Sequence, residues 1–560
     1  MLQRLKHLLS AALMAVLLVI TVSPMVPTAW AAYTDDAGDW YSPMIQKAQE
    51  YKLMNGYPDG SFGVGLDITR AEFTTVLCQM FGWEPVEEPE EVVFDDVRGW
   101  AQKYIYAALE HGAVDSDATF RPQAPISREE MAVMLVKALG YGDLAEKRAE
   151  AELPFADVDE NGNRGYIRVA YDIGMTAGVP GPNGTVDFLP QDSARREEAA
   201  TMLVNVYERY ISKTDWLHGF YAFASFSQID LGTQMDEVSM GWARLSWNEE
   251  EGVYLNTSRS GGNEWAIPED PRASLDKLEE AEVPHNLNVY ADTAKRVKVS
   301  EEESISVLEL LMTDEAAAQQ MTELLVEAAQ DHAGLTIDFE GLKDEQWREP
   351  FAALLSRLRE ALPQDKTLYV CVPPDTWYHS YDYRALGEIC DKVILMAHDY
   401  QFPSIPEGYV GTSKTYSPVT PLSDIYTALQ HLTDRETGVQ DKSKADLQIS
   451  FGTAGFKVDE EGLIQNTTIY HPASTVIATR LEQEDTVYTW DEVSRNPFII
   501  YTTEEGNHYK LWFENAPAVE EKLSLARMFG VTGVSVWRLG TIPYFPEIEN
   551  YDVWQVFADR

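Results

Sequence analysis

The pattern of apolar and polar positions divides the chain into two parts between residues 212 and 216. In the first part, apolar residues recur at intervals of three and four between turn-rich loops, which predicts helices joined by loops. From Trp216 onward, short apolar runs alternate with amphipathic stretches such as 315–329 and 345–362. This alternation, without a glycine-rich phosphate loop, predicts an α/β barrel. The predicted strands are 218–225, 237–245, 286–291, 334–340, 368–372, 392–396, 447–452 and 531–537.

The predicted strand 334–340 has two different faces. Its apolar face consists of Leu335, Ile337 and Phe339. The opposite face carries Thr336, Asp338 and Glu340, and in a barrel that face points inward. Carboxylates at the C-terminal end of a barrel strand lie where such enzymes place their chemistry. Asp338 and Glu340 are therefore candidate catalytic residues; the alternative is a pair of solvated charges on an edge strand.

Three segments of the first part repeat one skeleton, in which a phenylalanine precedes an arginine by eight residues. The three pairs are Phe62 and Arg70, Phe120 and Arg128, and Phe188 and Arg196. In the second copy, Ser127 and Glu130 have the spacing of a capping box. We predict all-α units at 33–88, 92–147 and 152–212, packed together because a single unit is too small to close a core.

The first 31 residues have the pattern of a secretory signal. Arg4 and Lys6 precede an apolar run over 8–22, and Ala29-Trp30-Ala31 resembles a cleavage site. A membrane anchor is the alternative, but the run is shorter than the ~20 apolar residues that span a bilayer. We therefore expect export with cleavage after Ala31, and no membrane span after that cleavage.

Composition narrows the range of partners and cofactors. The 560 residues contain 44 Lys and Arg against 91 Asp and Glu, a formal net charge of −47, which argues against nucleic acid as a partner. Three cysteines cannot form a disulfide framework, and the ten histidines form no metal-binding motif. The sequence therefore predicts neither a metal nor another cofactor.

The repeats resemble the surface-layer homology family, whose hallmark Thr-Arg-Ala-Glu stands at residues 69–72. The other copies read Ser-Arg-Glu-Glu and Arg-Arg-Glu-Glu. The resemblance implies attachment to a secondary cell wall polysaccharide, with Arg70, Arg128 and Arg196 binding its acidic, often pyruvylated, sugars. A guanidinium suits this role because it can bind a carboxylate through two hydrogen bonds. The alternative is that each arginine pairs with a glutamate on its own helix.

The polar strand resembles that of family 18 glycoside hydrolases, which carry Asp-Gly-x-Asp-x-Asp-x-Glu there. Residues 333–340 read Ala-Gly-Leu-Thr-Ile-Asp-Phe-Glu, so Ala333 and Thr336 depart from the pattern. The family's later Met-x-Tyr-Asp is matched by Met396-Ala397-His398-Asp399, with histidine in place of tyrosine. Its final-strand tryptophan corresponds to Trp537. The resemblance implies a TIM-type barrel, which we place at 216–560.

A second block, at about residues 490–522, resembles the spore-cortex-lytic branch of that family. It includes Trp490-Asp491-Glu492-Val493 and Trp512-Phe513-Glu514-Asn515. The stretch 458–513 is longer than a connecting helix requires, and we predict a small α+β insertion there. That branch cleaves the glycan strands of peptidoglycan at N-acetylglucosamine, so the resemblance implies a related glycan as substrate.

The resemblance implies a role for each matching residue. Glu340 is the acid that protonates the leaving oxygen, and Asp338 supports the substrate's acetamido group, which attacks C1 with net retention. The implied sugar-binding residues are His398, Asp399, Tyr400 and Trp537.

Three functions stay open at this point. The first is an exported, wall-anchored hydrolase of β-1,4 bonds in N-acetylglucosamine-containing glycans, peptidoglycan or chitin-like. The second is a glycan-binding protein on a degenerate barrel, motivated by Ala333, Thr336 and His398. The third is a structural surface-layer protein. Glu340 favours the first function, because binding alone does not require an acid.

Overall fold

The computed structural model describes residues 33–558, except 159–161, 223–224, 295, 299–303, 402 and 415–417. The signal expected at 1–31 therefore lies outside the described residues. The chain forms two units: one comprises the described residues up to 207 except Asp172–Gly174, which belong to the second unit with the residues from 208 onward. None of the described helices is both long enough and apolar enough to cross a membrane.

The first unit is built mainly from helices. They are α1 (Ser42–Glu50), α2 (Arg70–Phe81), α3 (Gln102–Glu110), α4 (Arg128–Ala138), α5 (Gly142–Glu146), α6 (Arg164–Asp172) and α7 (Arg196–Tyr210). Complete capping boxes start α2 at Thr69 and α4 at Ser127, the second as expected from the sequence. The expectation of purely helical repeats needs a correction. The proline- and glycine-rich turn at 180–184 reverses the chain, so that β1 (Val179–Pro180) and β2 (Val186–Asp187) pair antiparallel.

The three repeats close on one another in a cycle of backbone hydrogen bonds. The N–H groups of Ile68, Ile126 and Ala194 donate to the carbonyls of Ala194, Ile68 and Ile126, respectively, at 3.0, 3.0 and 3.2 Å. Beside this cycle, each repeat's loop turns through a residue with positive φ directly after its phenylalanine. These residues are Gly63, Arg121 and Leu189, with φ of 89°, 60° and 59°. In each repeat one aspartate accepts the backbone N–H groups of the phenylalanine and of the residue after it; these are Asp35, Asp96 and Asp157.

The second unit contains a closed barrel of eight parallel strands. The strands of the unit are β3 (Trp216–Tyr221), β4 (Glu237–Asn248), β5 (Gly252–Asn256), β6 (His285–Asp292), β7 (Arg296–Lys298), β8 (Ser304–Ser306), β9 (Gly334–Glu340), β10 (Thr367–Val372), β11 (Lys392–Met396), β12 (Ala445–Ser450), β13 (Ala454–Val458), β14 (Val487–Asp491), β15 (Asn496–Thr502), β16 (His508–Trp512) and β17 (Gly533–Trp537). The barrel order is β3–β17–β12–β11–β10–β9–β6–β4, closed by pairing of β3 with β4. The predicted barrel is confirmed.

The bounds of several strands match the sequence pattern closely. The strands β9 and β11 have the predicted limits, whereas β3 starts at Trp216 and ends at Tyr221 rather than at 225. The reason for the shorter strand is that Ser225 opens a short 3₁₀ helix, which takes the chain out of the sheet.

Helices connect the barrel strands, and a second sheet lies between β12 and β17. The helices are α8 (Ile229–Gly232), α9 (Arg272–Glu280), α10 (Val307–Thr313), α11 (Glu315–Ala328), α12 (Arg348–Ala361), α13 (Tyr383–Ile389), α14 (Leu422–Leu432), α15 (Ser474–Leu481), α16 (Ala516–Met528) and α17 (Val553–Ala558). The second sheet is antiparallel, in the order β13–β16–β15–β14. Its core includes Phe456, Ile464 and Trp512.

The strand β9 lies between β6 and β10, inside the barrel wall. Its apolar side chains, from Leu335, Ile337 and Phe339, are at most 1% exposed, and the Phe339 ring lies 6.4 Å from that of Phe351 on α12. The alternative of solvated charges on an edge strand is therefore wrong. The face with Thr336 and Asp338 is buried as well, inside the barrel.

Candidate active site

Two carboxyl side chains lie at the C-terminal end of β9. Asp338 is 2% exposed, and Glu340 is half-buried. The neighbouring strand β6 pairs with them in register, so that Tyr290 stands beside Asp338 and Asp292 beside Glu340. Four polar residues therefore share one patch of the barrel's inner wall at its C-terminal end.

Burial raises the pKa of both β9 acids. At Glu340 the charge of Asp338 adds to this effect. The charge of His398 acts in the opposite direction on the pKa of Glu340. With its pKa above the usual carboxyl range, Glu340 stays protonated at a higher pH than an ordinary glutamate, as a general acid requires.

Unpartnered polar atoms surround Asp338. Its Oδ1 and both side-chain polar atoms of Asn288 are enclosed and have no hydrogen-bond partner among the described residues. Thr336, which stands where the family pattern has aspartate, shares a 2.6 Å hydrogen bond with Ser239. Its hydroxyl is thus held by the barrel wall. Buried polar groups without a partner are costly, so this position is suited to a polar ligand group.

His398 follows β11 and is buried between two acceptors. Its Nδ1 lies 2.8 Å from Oδ2 of Asp399, and its Nε2 lies 2.6 Å from Oε1 of Gln448 on β12. Burial by itself lowers the pKa of His398, but the hydrogen bond and charge of Asp399 outweigh it and leave the pKa raised. With oxygen atoms facing both ring nitrogens, the site favours a doubly protonated imidazole near Glu340.

The two residues after His398 take different positions. Asp399 has a φ of 60°, and its side chain is 69% exposed although one oxygen contacts His398. Tyr400 is half-buried, and its backbone N–H donates to the carbonyl of Val419 at 3.4 Å. The structure therefore joins Asp399 to His398 and places Tyr400 directly beside them.

Aromatic side chains form one wall of the site. The ring of Trp537, at the end of β17, lies 5.4 Å from Phe220 and 5.6 Å from Trp265. Trp265 stacks on Tyr290 at 4.5 Å with an interplanar angle of 7°. This stack connects Trp537 with the strand that pairs with β9, and it provides apolar faces of the kind that pack against sugar rings.

Sequence reasoning missed four residues beside the acid pair: Asn288, Tyr290, Asp292 and Trp265. Three of them were visible as the alternating polar positions of β6, which end at Asp292 as those of β9 end at Glu340. The Tyr290 hydroxyl donates to Asp292 at 3.1 Å, and Arg244 forms an ion pair with the same carboxylate at 2.7 Å. Trp265 lies in the loop before α9, where no periodic pattern marks it.

The three candidate arginines of the repeats lie in the first unit and form a cycle of their own. The Nε atoms of Arg70, Arg128 and Arg196 donate to the carbonyls of Phe120, Phe188 and Phe62, at 2.7, 2.7 and 2.9 Å. Arg70 pairs with Glu130 and Arg196 with Glu72, which belong to other repeats. The idea that each arginine pairs within its own helix is therefore wrong, because the cycle brings a neighbouring repeat's glutamate closer.

Comparison with known proteins gives these features a family context. Residues 304–541 match the family described as Glycosyl hydrolases family 18, and residues 32–74 and 93–132 match the S-layer homology domain. The chain is 24% identical over 243 residues to a cortical fragment-lytic enzyme of Bacillus subtilis (strain 168), covering 41% of this chain and 52% of that protein. It is 38% identical over 128 residues to a cellulosome-anchoring protein of Acetivibrio thermocellus, covering 22% of this chain and 28% of that protein.

Among solved structures, a chitinase from Chromobacterium violaceum superposes with a TM-score of 0.47 at 20% identity, covering 62% of this chain and 99% of that one. The chain spans about half the length of the first curated relatives it matches. Over these ranges the chain is thus similar to S-layer homology domains and to family 18 glycosyl hydrolases.

Proposed function

We propose that the protein is an exported, wall-anchored glycoside hydrolase that cleaves β-1,4 bonds in N-acetylglucosamine-containing glycans by substrate-assisted catalysis with net retention. The observation that carries the proposal is the acid pair of β9: Asp338 and Glu340 lie two residues apart at the C-terminal end of one strand, beside an aromatic wall. The pKa of Glu340 is raised, as a proton donor requires.

The spacing of the two acids determines the type of mechanism. Residues two apart on a strand have Cα atoms ~6.5–7 Å apart on the same wall. Glycosidases that use two catalytic carboxylates place them on opposite sides of the bond that breaks. Since Asp338 and Glu340 share one wall, the nucleophile comes from the substrate, whose 2-acetamido oxygen lies next to C1.

The proposed reaction has two steps. Glu340 gives its proton to the glycosidic oxygen while the acetamido oxygen bonds to C1, and the C1–O bond breaks to leave an oxazolinium ion. Asp338 stabilises the positive charge of that ring. Water then attacks C1, gives a proton to the Glu340 carboxylate and opens the ring. Two inversions at C1 leave the configuration retained.

The names of the relatives support a class of substrate and a location for this protein. Two of the relatives carry the name cortical fragment-lytic enzyme, which favours a peptidoglycan-type glycan. Other relatives are a cellulosome-anchoring protein and an S-layer protein, which favours attachment at the cell surface. We propose that the repeats bind an acidic cell wall polysaccharide, and contact through Arg70, Arg128 and Arg196 remains a prediction.

The catalytic proposal is tested by incubating the protein with peptidoglycan and with chitin oligosaccharides. We expect fragments that end in N-acetylglucosamine by mass spectrometry, and a β-anomer as first product by NMR. Oligosaccharides with glucosamine at the position whose C1 is attacked should remain intact, because they lack the acetamido oxygen. Cleavage of these oligosaccharides, or an inverted product, would contradict the mechanism. If the protein cleaved neither peptidoglycan nor the chitin oligosaccharides, the proposed function would be contradicted.

Anchoring is tested separately, by sedimentation with purified cell walls. A variant without residues 33–212 should stay in the supernatant and keep its activity on soluble oligosaccharides. Sedimentation of this variant to the same extent as the full chain would contradict the anchoring role of the repeats.

A further inference from the structure

The loops that follow β9 and β10 lie against each other beside the acid pair. The two strands are neighbours and run parallel, so both loops start at the C-terminal end of the barrel. The Tyr381 hydroxyl, in the loop after β10, donates to the carbonyl of Phe339 on β9 at 3.0 Å. Arg348, at the start of α12, pairs with Asp382 of the same loop at 3.2 Å. The two loops therefore border the same opening as Glu340.

One side chain from each loop forms a cation–aromatic pair. Lys343 comes three residues after Glu340, and its Nζ lies 4.7 Å from the ring centre of Trp377 in the loop after β10. Lys343 is exposed and Trp377 is half-buried, so the pair can be reached from solvent. Attraction to the ring restrains the long lysine side chain, which lowers the entropy that a ligand contact would cost.

Among the described residues, the ring is the only recorded partner of the Lys343 ammonium, which forms no hydrogen bond or ion pair. Two lysines of the first unit provide a contrast. Lys103 and Lys137 also lie over aromatic rings, at 5.5 and 5.9 Å, but each pairs with a carboxylate at 2.7 Å. An accessible lysine without a carboxylate, in a chain with 91 acidic and 44 basic residues, is available for an anionic ligand.

Two other cationic side chains close to the acid pair are already bound to carboxylates. Arg244 pairs with Asp292 at 2.7 Å, and Nδ1 of His398 lies 2.8 Å from Asp399. Their charges are therefore used within the protein, whereas the charge of Lys343 is not.

The chemistry of the glycan indicates which anion would lie here. In peptidoglycan, C1 of N-acetylglucosamine is joined to O4 of N-acetylmuramic acid, which carries a lactyl ether on the neighbouring O3. Glu340 has to contact O4 in order to protonate it, so the lactyl group of the leaving sugar lies next to Glu340. Chitin has a free hydroxyl at the same O3. The lactyl group is therefore the feature of the leaving sugar that a side chain beside Glu340 can distinguish.

We propose that Lys343 and Trp377 bind the leaving N-acetylmuramic acid, with the ammonium on the lactyl carboxylate and the indole against the sugar ring. This assignment rests on the proposed glycosidase function and narrows its substrate from two glycans to one. The aromatic side chains fit this placement. Trp265 and Tyr290 lie on the β6 side of the acid pair, and Trp377 lies on the β10 side. An aromatic surface thus borders each side of the bond that breaks.

The charge of the lactyl group depends on the state of the glycan. In a strand that still carries its peptide, the lactyl carboxyl group is an amide and has no charge. Only the free carboxylate gains a charge-assisted contact with the ammonium. The preferred substrate is therefore a strand from which the peptide has been removed by hydrolysis of that amide.

The test compares three tetrasaccharides as substrates of the full chain. The first alternates N-acetylglucosamine with N-acetylmuramic acid, the second is the same compound with its lactyl carboxyl groups converted to methyl amides, and the third is the chitin tetrasaccharide. We expect kcat/KM to be about three- to tenfold higher for the free acid than for the methyl amide, mainly through KM. This advantage should decrease at high salt, which screens an exposed ion pair.

Variants of Lys343 separate its charge from its packing. Lys343→Met keeps an apolar chain over Trp377 and removes the charge. It should abolish the advantage of the free acid and keep kcat/KM on the chitin tetrasaccharide within about twofold, whereas Lys343→Arg should retain the advantage. Lys414→Met is the matched control, since Lys414 is also exposed and its Nζ lies 4.7 Å from the ring centre of Tyr409. It should retain the advantage.

Equal kcat/KM for the free acid and the methyl amide in the unaltered chain, or an advantage that persists in Lys343→Met, would overturn the inference. Loss of the advantage in Lys414→Met to the same extent would also overturn it, because the effect would then be one of net charge. The proposed glycosidase function would survive each of these results as long as the tetrasaccharides were cleaved, and would fail if none of them was.

Discussion

Both ends of the barrel interior carry buried polar side chains, on many of the same strands. The two ends differ in how many of these polar atoms have a hydrogen-bond partner within the protein. At the N-terminal end, His218 lies 2.8 Å from Ser535 and 2.8 Å from Ser239, so both ring nitrogens have a partner. Burial lowers the pKa of His218 to about 3, so the ring is neutral. At the C-terminal end, Asp338 and Asn288 hold enclosed atoms without a partner among the described residues.

The acids of the two ends show the same difference. Near the N-terminal end, the Ser535 hydroxyl donates to Asp446, and the Tyr369 hydroxyl donates to Glu237 at 2.5 Å. One oxygen of each of these acids is thus bound to a hydroxyl of the barrel, while Glu237 Oε1 and Asp446 Oδ1 have no partner among the described residues. At the C-terminal end of β9, by contrast, both side-chain polar atoms of Asn288 lack a partner beside Asp338, so this end leaves more hydrogen-bonding capacity for another molecule. The difference predicts which substitutions affect rate and which affect stability.

Glu340→Gln should have the largest effect on rate. The amide keeps the shape of the side chain but has no acidic proton, and positioned acids contribute about 10²–10⁴-fold. We expect kcat on chitin oligosaccharides to fall by at least about 10²-fold while glycan binding persists. Stability should not fall, because a buried carboxyl group is replaced by a neutral amide. An active variant would contradict the assignment of Glu340, and lost binding would point to misfolding instead.

Asp338→Asn should slow the reaction by about 10²-fold although Glu340 remains, because the charge that stabilises the oxazolinium ion is lost. It should also shift the pH profile. The Asp338 charge raises the pKa of Glu340, so its removal lowers that pKa. Glu340 works protonated, and the alkaline limb of the rate profile should therefore move to lower pH. A limb that stays in place or moves to higher pH would show that the charge of Asp338 does not raise the pKa of Glu340.

The acid pair could be predicted from sequence because strand alternation acts over two residues and needs no knowledge of the rest of the fold. The partner of His398 could not, since Gln448 is 50 residues away and reaches it only when β11 and β12 pair. The arginine cycle could not be predicted either, because Arg196 and its partner Glu72 are 124 residues apart. Local patterns predicted the elements and their faces, while contacts that depend on closure of the barrel or of the repeats needed the structure.

His218→Phe should affect stability more than rate. The change removes the hydrogen bonds of the imidazole to the hydroxyls of Ser535 and Ser239, each worth ~0.5–1.5 kcal/mol. We expect the free energy of unfolding to fall by ~1–3 kcal/mol in urea titrations, with kcat within about threefold of the unaltered chain. Asn288→Ala is the matched variant at the other end, and it should lower kcat while costing less stability. The opposite pattern in the two variants would contradict the comparison of the two ends.

Asp446→Asn should have an effect that is visible only as a function of pH. Burial raises the pKa of Asp446 from 3.8 to about 7, so the folded state holds this proton more tightly than the unfolded state does. Its contribution to stability is therefore complete below pH 3.8 and is lost as the pH rises through about 7.

Asparagine does not titrate and can still accept a hydrogen bond from Ser535. The decline of the unfolding free energy between pH 4.5 and 7 should thus become shallower, by at most ~1.4 kcal/mol per pH unit. Glu237, whose pKa burial also raises to about 7, keeps part of the slope in the variant. An identical slope in both proteins, measured by urea unfolding at several pH values, would show that Asp446 is ionised inside the folded barrel.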